Sequence, residues 1–189
     1  MTITNYHITI EKEEEITWQI QNQIHRVLNI AFDGLSKKFI AKTYGYERPE
    51  ERVLGWENGM VVSHMGIRNG VLILGEQRIN VSCLGLWSSI SQTKGWATEI
   101  CKASMNRLKE NGVRLGVGMT SNEVIIKYVT PKFASSIKLL NYPIIGSNYA
   151  SNVGTLGMLF NINMPEDEFN EVISRIEQEG KIKLLGEPF

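Results

Sequence analysis

Apolar and polar positions along the chain alternate first with a two-residue and then with a 3.6-residue period, and each change of period marks an element. Tyr6 to Ile10 reads as a first strand, and the charge run Glu11 to Glu15 reads as a solvated connection or helix start. Ile20, Ile24, Val27, Leu28 and Ala31 then recur at helical spacing until Asp33-Gly34 stops the helix. A shorter helix is expected at Lys37 to Lys42, and Tyr44 to Glu50, which contains Pro49, reads as an irregular connection. Arg52 to Trp56, Asn58-Gly59 and Met60 to Ile67 form a hairpin signal, because Asn-Gly supplies the positive φ angles of a tight turn. Apolar residues resume at Val71 to Leu74, so one long, bulged strand is preferred to two short ones.

Ile79 to Trp87 is rich in β-branched, apolar and aromatic residues and suits a strand buried on both faces. The period then changes. Ala97, Ile100, Cys101, Ser104 and Leu108 share one helical face, and Asn111-Gly112 caps that helix. Further strands are expected at Leu115 to Met119, Ile137 to Leu140 and Leu156 to Ile162, with a helical segment from Asn122 to Val129 cut short by Pro131. Pro165 opens a last helix whose first turn, Glu166, Asp167 and Glu168, favours the positive end of its dipole. Phe169, Val172, Ile173 and Ile176 supply its buried face, and Gly180 ends it before an extended tail.

Composition narrows this picture. At 189 residues, with 42% hydrophobic and 21% charged residues, the chain suits one globular domain spanning residues 1–189. Lys plus Arg and Asp plus Glu are both 20, and no dense basic run occurs, so nucleic acid is disfavoured as a partner. Cys83 and Cys101 fall in predicted core elements without zinc-type spacing, which fits reduced thiols, a cytoplasmic setting and no metal. The amino terminus lacks basic and apolar leader regions, and no apolar run approaches about 18 residues, so neither export nor a membrane span is expected.

The segment with the most chemistry is Gln92-Thr93-Lys94-Gly95-Trp96-Ala97, between a buried strand and an amphipathic helix. Gly95 permits close backbone approach, and the free N–H groups of the new helix favour an anion such as a diphosphate. A plain strand-to-helix turn would use the same glycine. The order of hairpin, central strand, Gln-x-x-Gly-x-Ala turn, helix, strand and Tyr128-bearing helix resembles the GNAT superfamily of N-acetyltransferases. Gln92, Gly95 and Ala97 match that family's turn, while Tyr128 to Phe133 keeps its Tyr-to-Phe spacing with Lys132 in place of glycine. The stretch Arg52 to Phe133 looks like the nodulation N-acyltransferase branch, and Gly186-Glu187-Pro188-Phe189 resembles the ending of aminoglycoside 2'-N-acetyltransferases.

The resemblance implies an α+β, three-layer fold: a mixed, mostly antiparallel sheet with helices on both faces. It also implies direct transfer of an acyl group from acetyl-CoA, or a longer acyl-CoA, to a small-molecule amine. Backbone near Leu86, Trp87 and Ser88 would then meet the pantetheine arm and the thioester carbonyl, and Gln92, Thr93, Lys94, Gly95, Trp96, Ala97 and Thr98 would surround the pyrophosphate. Tyr128 would protonate the leaving thiolate. Ser121 and Asn122 would bond the pantetheine arm or cap the helix.

The general base is open, because Cys83 stands where related enzymes often carry a carboxylate and is placed instead among the substrate-binding residues. His64, on the adjacent strand, is the candidate base, with a packed strand histidine as the alternative. Glu187 and the Phe189 carboxylate would bind a cationic amine, first guess an aminoglycoside or amino sugar, or form a free terminus. Residues 92–114 carry a net charge of +3 and residues 165–189 a net of −4, which suit a phosphate-rich donor and a cationic acceptor or simply two solvated faces. A fatty-acyl donor and an inactive CoA-binding module are the competing readings. A homodimer stays open. Gly116-Val117-Gly118 is too little for a dinucleotide fold.

Overall fold

The computed structural model describes residues 5–32, 48–91, 95–120, 122–146 and 155–185. The expected helix at 37–42, most of the connection at 44–50, and Gln92, Thr93, Lys94, Ser121, Glu187 and Phe189 lie outside the described residues. The chain divides into two compact units, Met1–Arg68 with Leu86–Ser104, and Asn69–Gly85 with Met105–Phe189.

In the first unit, β1 (Tyr6–Lys12) pairs antiparallel with β2 (Glu51–Glu57), which pairs antiparallel with the first part of β3 (Met60–Leu74). Asn58 and Gly59 take positive φ at the hairpin, as the Asn-Gly signal requires. Helix α1 (Trp18–Ala31) is capped by the Thr17 side chain, which accepts from the Ile20 N–H. Its buried stripe, Ile24, Val27 and Leu28, packs on Leu54 and Val61, with Trp56, Leu86 and Ile90 at the margin. The helical spacing read from the sequence therefore covers the β2–β3 hairpin.

The second unit holds the end of β3 and most of β4 (Gln77–Ser89), together with β5 (Leu115–Thr120), β6 (Ile137–Leu140), β7 (Ile144–Ile145), β8 (Leu156–Asn161) and β9 (Ile182–Leu185). Residues Ser82 to Leu84 of β4 pair parallel with Gly116 to Gly118 of β5. β8 pairs antiparallel with both β5 and β6. β9 runs antiparallel to β3 and parallel to β7. The pairing is thus mixed and mostly antiparallel, and with its helices the chain is of the α+β class.

The long strand β3 is continuous from Met60 to Leu74, as the resumed apolar run suggests. Helix α2 (Trp96–Glu110) buries Ile100, Cys101, Ser104 and Leu108, the face read from the sequence, and ends at Gly112 in left-handed geometry. Helix α3 (Glu166–Glu179) sets Phe169, Val172 and Ile176 into a core with Leu72, Leu115, Leu159 and Ile182, and left-handed Gly180 closes it. Arg175 Nη2 donates to Leu74 O at 2.9 Å and Glu179 accepts from Gly75 N at 2.7 Å, fastening the end of α3 to the β3–β4 turn. Ile182–Leu185, within the tail read as extended, forms strand β9, and β7 was not anticipated.

No helix among the described residues is long and apolar enough to cross a membrane. Replacing fully buried Ile176 by alanine should cost about 2–5 kcal/mol through lost burial and a residual cavity. Urea unfolding of the two proteins measures the difference.

Candidate functional site

Strand β4 departs from extended backbone at Leu86, whose φ is +55°. A residue with a Cβ enters the left-handed region at a cost of about 1–2 kcal/mol, so neighbouring interactions must hold it there. His64 is one of them. Its ring on β3 is completely buried, and Nδ1 lies 3.1 Å from the Leu86 carbonyl oxygen.

The other ring nitrogen fixes the chemistry. Arg52 Nη1 is 3.1 Å from His64 Nε2, and a guanidinium has only donors, so Nε2 must present its lone pair. The proton therefore sits on Nδ1 and is donated to Leu86. Arg52 is 4% exposed and forks onto Glu13, with Nη2 3.0 Å from Oε1 and Nε bonded to Oε2. Burial, then the nearby Arg52 charge, lowers the His64 pKa from 6.5 to about 3, although the Leu86 bond acts the other way. So held, His64 has no lone pair free for an amine proton, and the geometry does not suit the general-base role expected of it.

The start of α2 is built around a second carboxylate. Gly95 has φ +63° and turns the chain into the helix, with its carbonyl accepting from Thr98 N at 2.8 Å. Its glycine is needed for that angle, since a Cβ there would meet nothing within 4 Å. Trp96 is buried, and its Nε1 donates to Glu57, which also accepts from Ser91 Oγ at 2.7 Å. Both ends of the turn thus meet one oxygen of Glu57. The indole lies over Gly55, where an added Cβ would come within 2.7 Å of Trp96 Cε3, and Tyr6 flanks it at a centroid distance of 6.2 Å. Trp96 is an anchor of the turn by its side chain, while Ala97 and Thr98 remain part-exposed beside it.

Just beyond Leu86, Trp87 Nε1 and Ser88 Oγ are buried without a hydrogen-bond partner. The Ser88 carbonyl accepts from Ser63 Oγ at 2.7 Å, which ties this backbone to β3. Buried polar atoms usually find partners, so these two side-chain atoms are exceptions in the structure. They belong to residues whose backbone is expected to meet the pantetheine arm.

In the second unit Cys83 is 3% exposed and packs in the apolar core, with its sulfur 2.7 Å from where a Cβ of Gly70 would stand. That enclosure does not suit the substrate-binding role expected of Cys83. The Cys101 thiol of α2 is pushed up to about 12 by burial and stays protonated at neutral pH. Asn122 caps the following helical turn, accepting through Oδ1 from Val124 N at 2.9 Å. Tyr128 lies in a π-turn (Ile125–Val129) and is 66% exposed. No group of three or more His, Cys, Asp or Glu residues among the described residues could hold a metal.

Sequence reasoning missed Glu13, Arg52, Glu57 and Ser91. Glu13 was submerged in a charge run, and Arg52 looked like a strand end. The available signal was an arginine set directly before the apolar pair Val53 and Leu54.

This arrangement belongs to the GNAT-type fold. The chain superposes on the Escherichia coli GNAT family N-acetyltransferase YhbS, solved in complex with CoA, with a TM-score of 0.63, 10% identity, and coverage of 99% of this chain and 92% of that one. The N-acyl amino acid synthase FeeM from uncultured soil microbes gives a TM-score of 0.56 and 7% identity over 84% of this chain and 92% of that one. At such identities the likeness concerns the fold. The family follows from the sequence: residues 7–145 match the family model for Nodulation protein A (NodA), and the chain belongs to that family. Nodulation protein A of Rhizobium etli is 31% identical over 78 residues, 41% of this chain, and the match spans 40% of that protein's length.

The His64 shift has a sign that can be tested. Its folded pKa lies below the unfolded value, so its contribution to stability is complete above about pH 6.5 and is lost as pH falls towards about 3. Across that window each unit should cost about 1.4 kcal/mol from this group. Urea unfolding of wild type and His64→Leu at a series of pH values should show a shallower slope in the variant by about one proton.

Proposed function

We propose that this chain is an N-acyltransferase that moves an acyl group from coenzyme A directly to the primary amine of a small molecule. The observation that carries the reading is the Leu86 to Ser88 segment, a strained bend followed by two orphaned buried donors, in a chain of the NodA family. A bend of this kind disrupts the strand ladder locally and so allows a backbone N–H to serve a ligand. The left-handed Gly95 at the head of α2 supplies the N-terminal amides that suit a pyrophosphate. Lys94, with Gln92 and Thr93, completes that cradle by charge-assisted bonding.

Chemically, the amine nitrogen attacks the thioester carbonyl, the carbon–sulfur bond breaks, and the thiolate leaves with the Tyr128 hydroxyl proton. The proton lost by the new amide goes to water. Exposure of Tyr128 leaves its hydroxyl accessible for that step. The nodulation-type resemblance supports a longer acyl donor as well as acetyl-CoA, and the family match offers no support for an aminoglycoside acceptor.

The test is thiol release from acetyl-, octanoyl- and palmitoyl-CoA with glucosamine, a kanamycin-like aminoglycoside or a polyamine. Acceptor-dependent release, greatest with a long donor and the amino sugar, is expected. Binding of CoA without release from any pair would favour an inactive CoA-binding module. Tyr128→Phe should lower kcat about 100-fold or more while CoA affinity stays within about twofold. Unchanged turnover would remove Tyr128 from the chemistry.

A further inference from the structure

The Leu86 carbonyl is held by an unusually costly arrangement. Supporting one strand carbonyl takes a fully buried imidazole, a buried guanidinium and a carboxylate drawn from β3, β2 and the 3-10 turn Glu13–Glu15. An apolar cluster of the same volume is often as stable as a buried ion pair, so packing alone does not call for these groups. Each instead determines the direction of the next. Glu13 grips two nitrogens of Arg52 and fixes its plane. Arg52 offers only donors and so dictates which nitrogen of His64 keeps the proton. His64 can then do one thing, donate Nδ1–H to Leu86.

The consequence lies on the other side of the peptide. The Leu86–Trp87 bond is planar and trans, so its N–H points opposite to its C=O. With the carbonyl turned towards His64, the Trp87 amide is directed away from His64. A hydrogen bond accepted by the carbonyl also polarises the peptide and strengthens its N–H as a donor, by about 10–30% in condensed-phase estimates.

We propose that Glu13, Arg52 and His64 form a positioning relay that sets and strengthens the Trp87 backbone amide as the donor to the acyl carbonyl during transfer. The proposal rests on the acyl-transfer reading for its chemistry, since that carbonyl gains negative charge as the amine attacks. None of the three residues touches the reacting atoms. Their effect passes through one peptide plane, so it falls on the rate of transfer rather than on affinity for CoA, which has no thioester carbonyl. Among the described residues, Arg48 Nη1, 3.9 Å from Glu13 Oε1, and His25, whose pKa burial and the nearby Arg52 and Arg48 charges lower, are charged or titratable groups beside the relay, and Glu11 lies opposite Arg52 across β1 and β2.

Two measurements on the full chain test the relay. Nitrogen-15 NMR of the wild-type imidazole should show a protonated Nδ1 and a bare Nε2 for His64 between about pH 5 and pH 8. A proton on Nε2 overturns the relay without any variant having to fold. His64→Leu should shift the Trp87 amide resonance and lower kcat for long-chain acyl-CoA by about tenfold or more, with the Kd for CoA within about twofold. His64→Asn, whose Nδ2 takes the place of Nδ1 as donor, should recover most of both. An unmoved Trp87 amide in His64→Leu, or equal losses in His64→Leu and His64→Asn, overturns the relay. Failure of wild type to bind CoA or release thiol overturns the acyl-transfer reading instead, and the NMR signals report on the relay independently.

Discussion

A guanidinium taken out of water needs its charge and its donors answered within the protein, and the first unit is organised around answering Arg52. Glu13 supplies the charge and His64 the neutral acceptor. The turn that carries Glu13 is itself fastened, with Glu13 N bonded to Glu50 O at 2.9 Å and Glu50 N to Ile67 O at 2.8 Å. The chain after β1, the start of β2 and the middle of β3 thus share one electrostatic requirement. Satisfying it leaves His64 a single free donor, and the bend at Leu86 is where that donor is used.

A similar economy governs the head of α2. Glu57, at the end of β2, accepts from Ser91 before the turn and from Trp96 after it. The segment proposed to cradle phosphates is therefore bounded by residues fixed on a rigid strand. Gly55 contributes by having no side chain, which leaves room for the Trp96 ring. Trp96 looks from the sequence like part of a binding loop, and its structural task is to dock that loop.

Periodicity made much of this legible. The Asn58-Gly59 hairpin, the uninterrupted β3, the buried face of α2 and the stop at Gly180 follow from local rules that act over a few residues. What periodicity cannot supply is a partner. Arg52 and Glu13 lie 39 positions apart and meet only because β1 and β2 pair in a register that sets Glu11 opposite Arg52. His64 reads as a base from its type and strand, yet its protonation is decided by an arginine whose inward direction no local rule reveals. The tail at Ile182 to Leu185 looks merely extended for the same reason, since its role as β9 depends on Val71 to Ile73 of β3.

The π-turn beneath Tyr128 adds a constraint of length rather than of composition. A π-turn closes on a carbonyl one residue further back than an α-turn does, so it accommodates an extra residue. In an ordinary helix one residue corresponds to a rotation of about 100° around the axis. The direction in which the Tyr128 ring leaves the backbone is accordingly recorded in the number of residues between the Asn122 cap and Tyr128, as well as in the tyrosine itself. Among relatives, a chain could keep the tyrosine and still lose its aim through the gain or loss of a single neighbour.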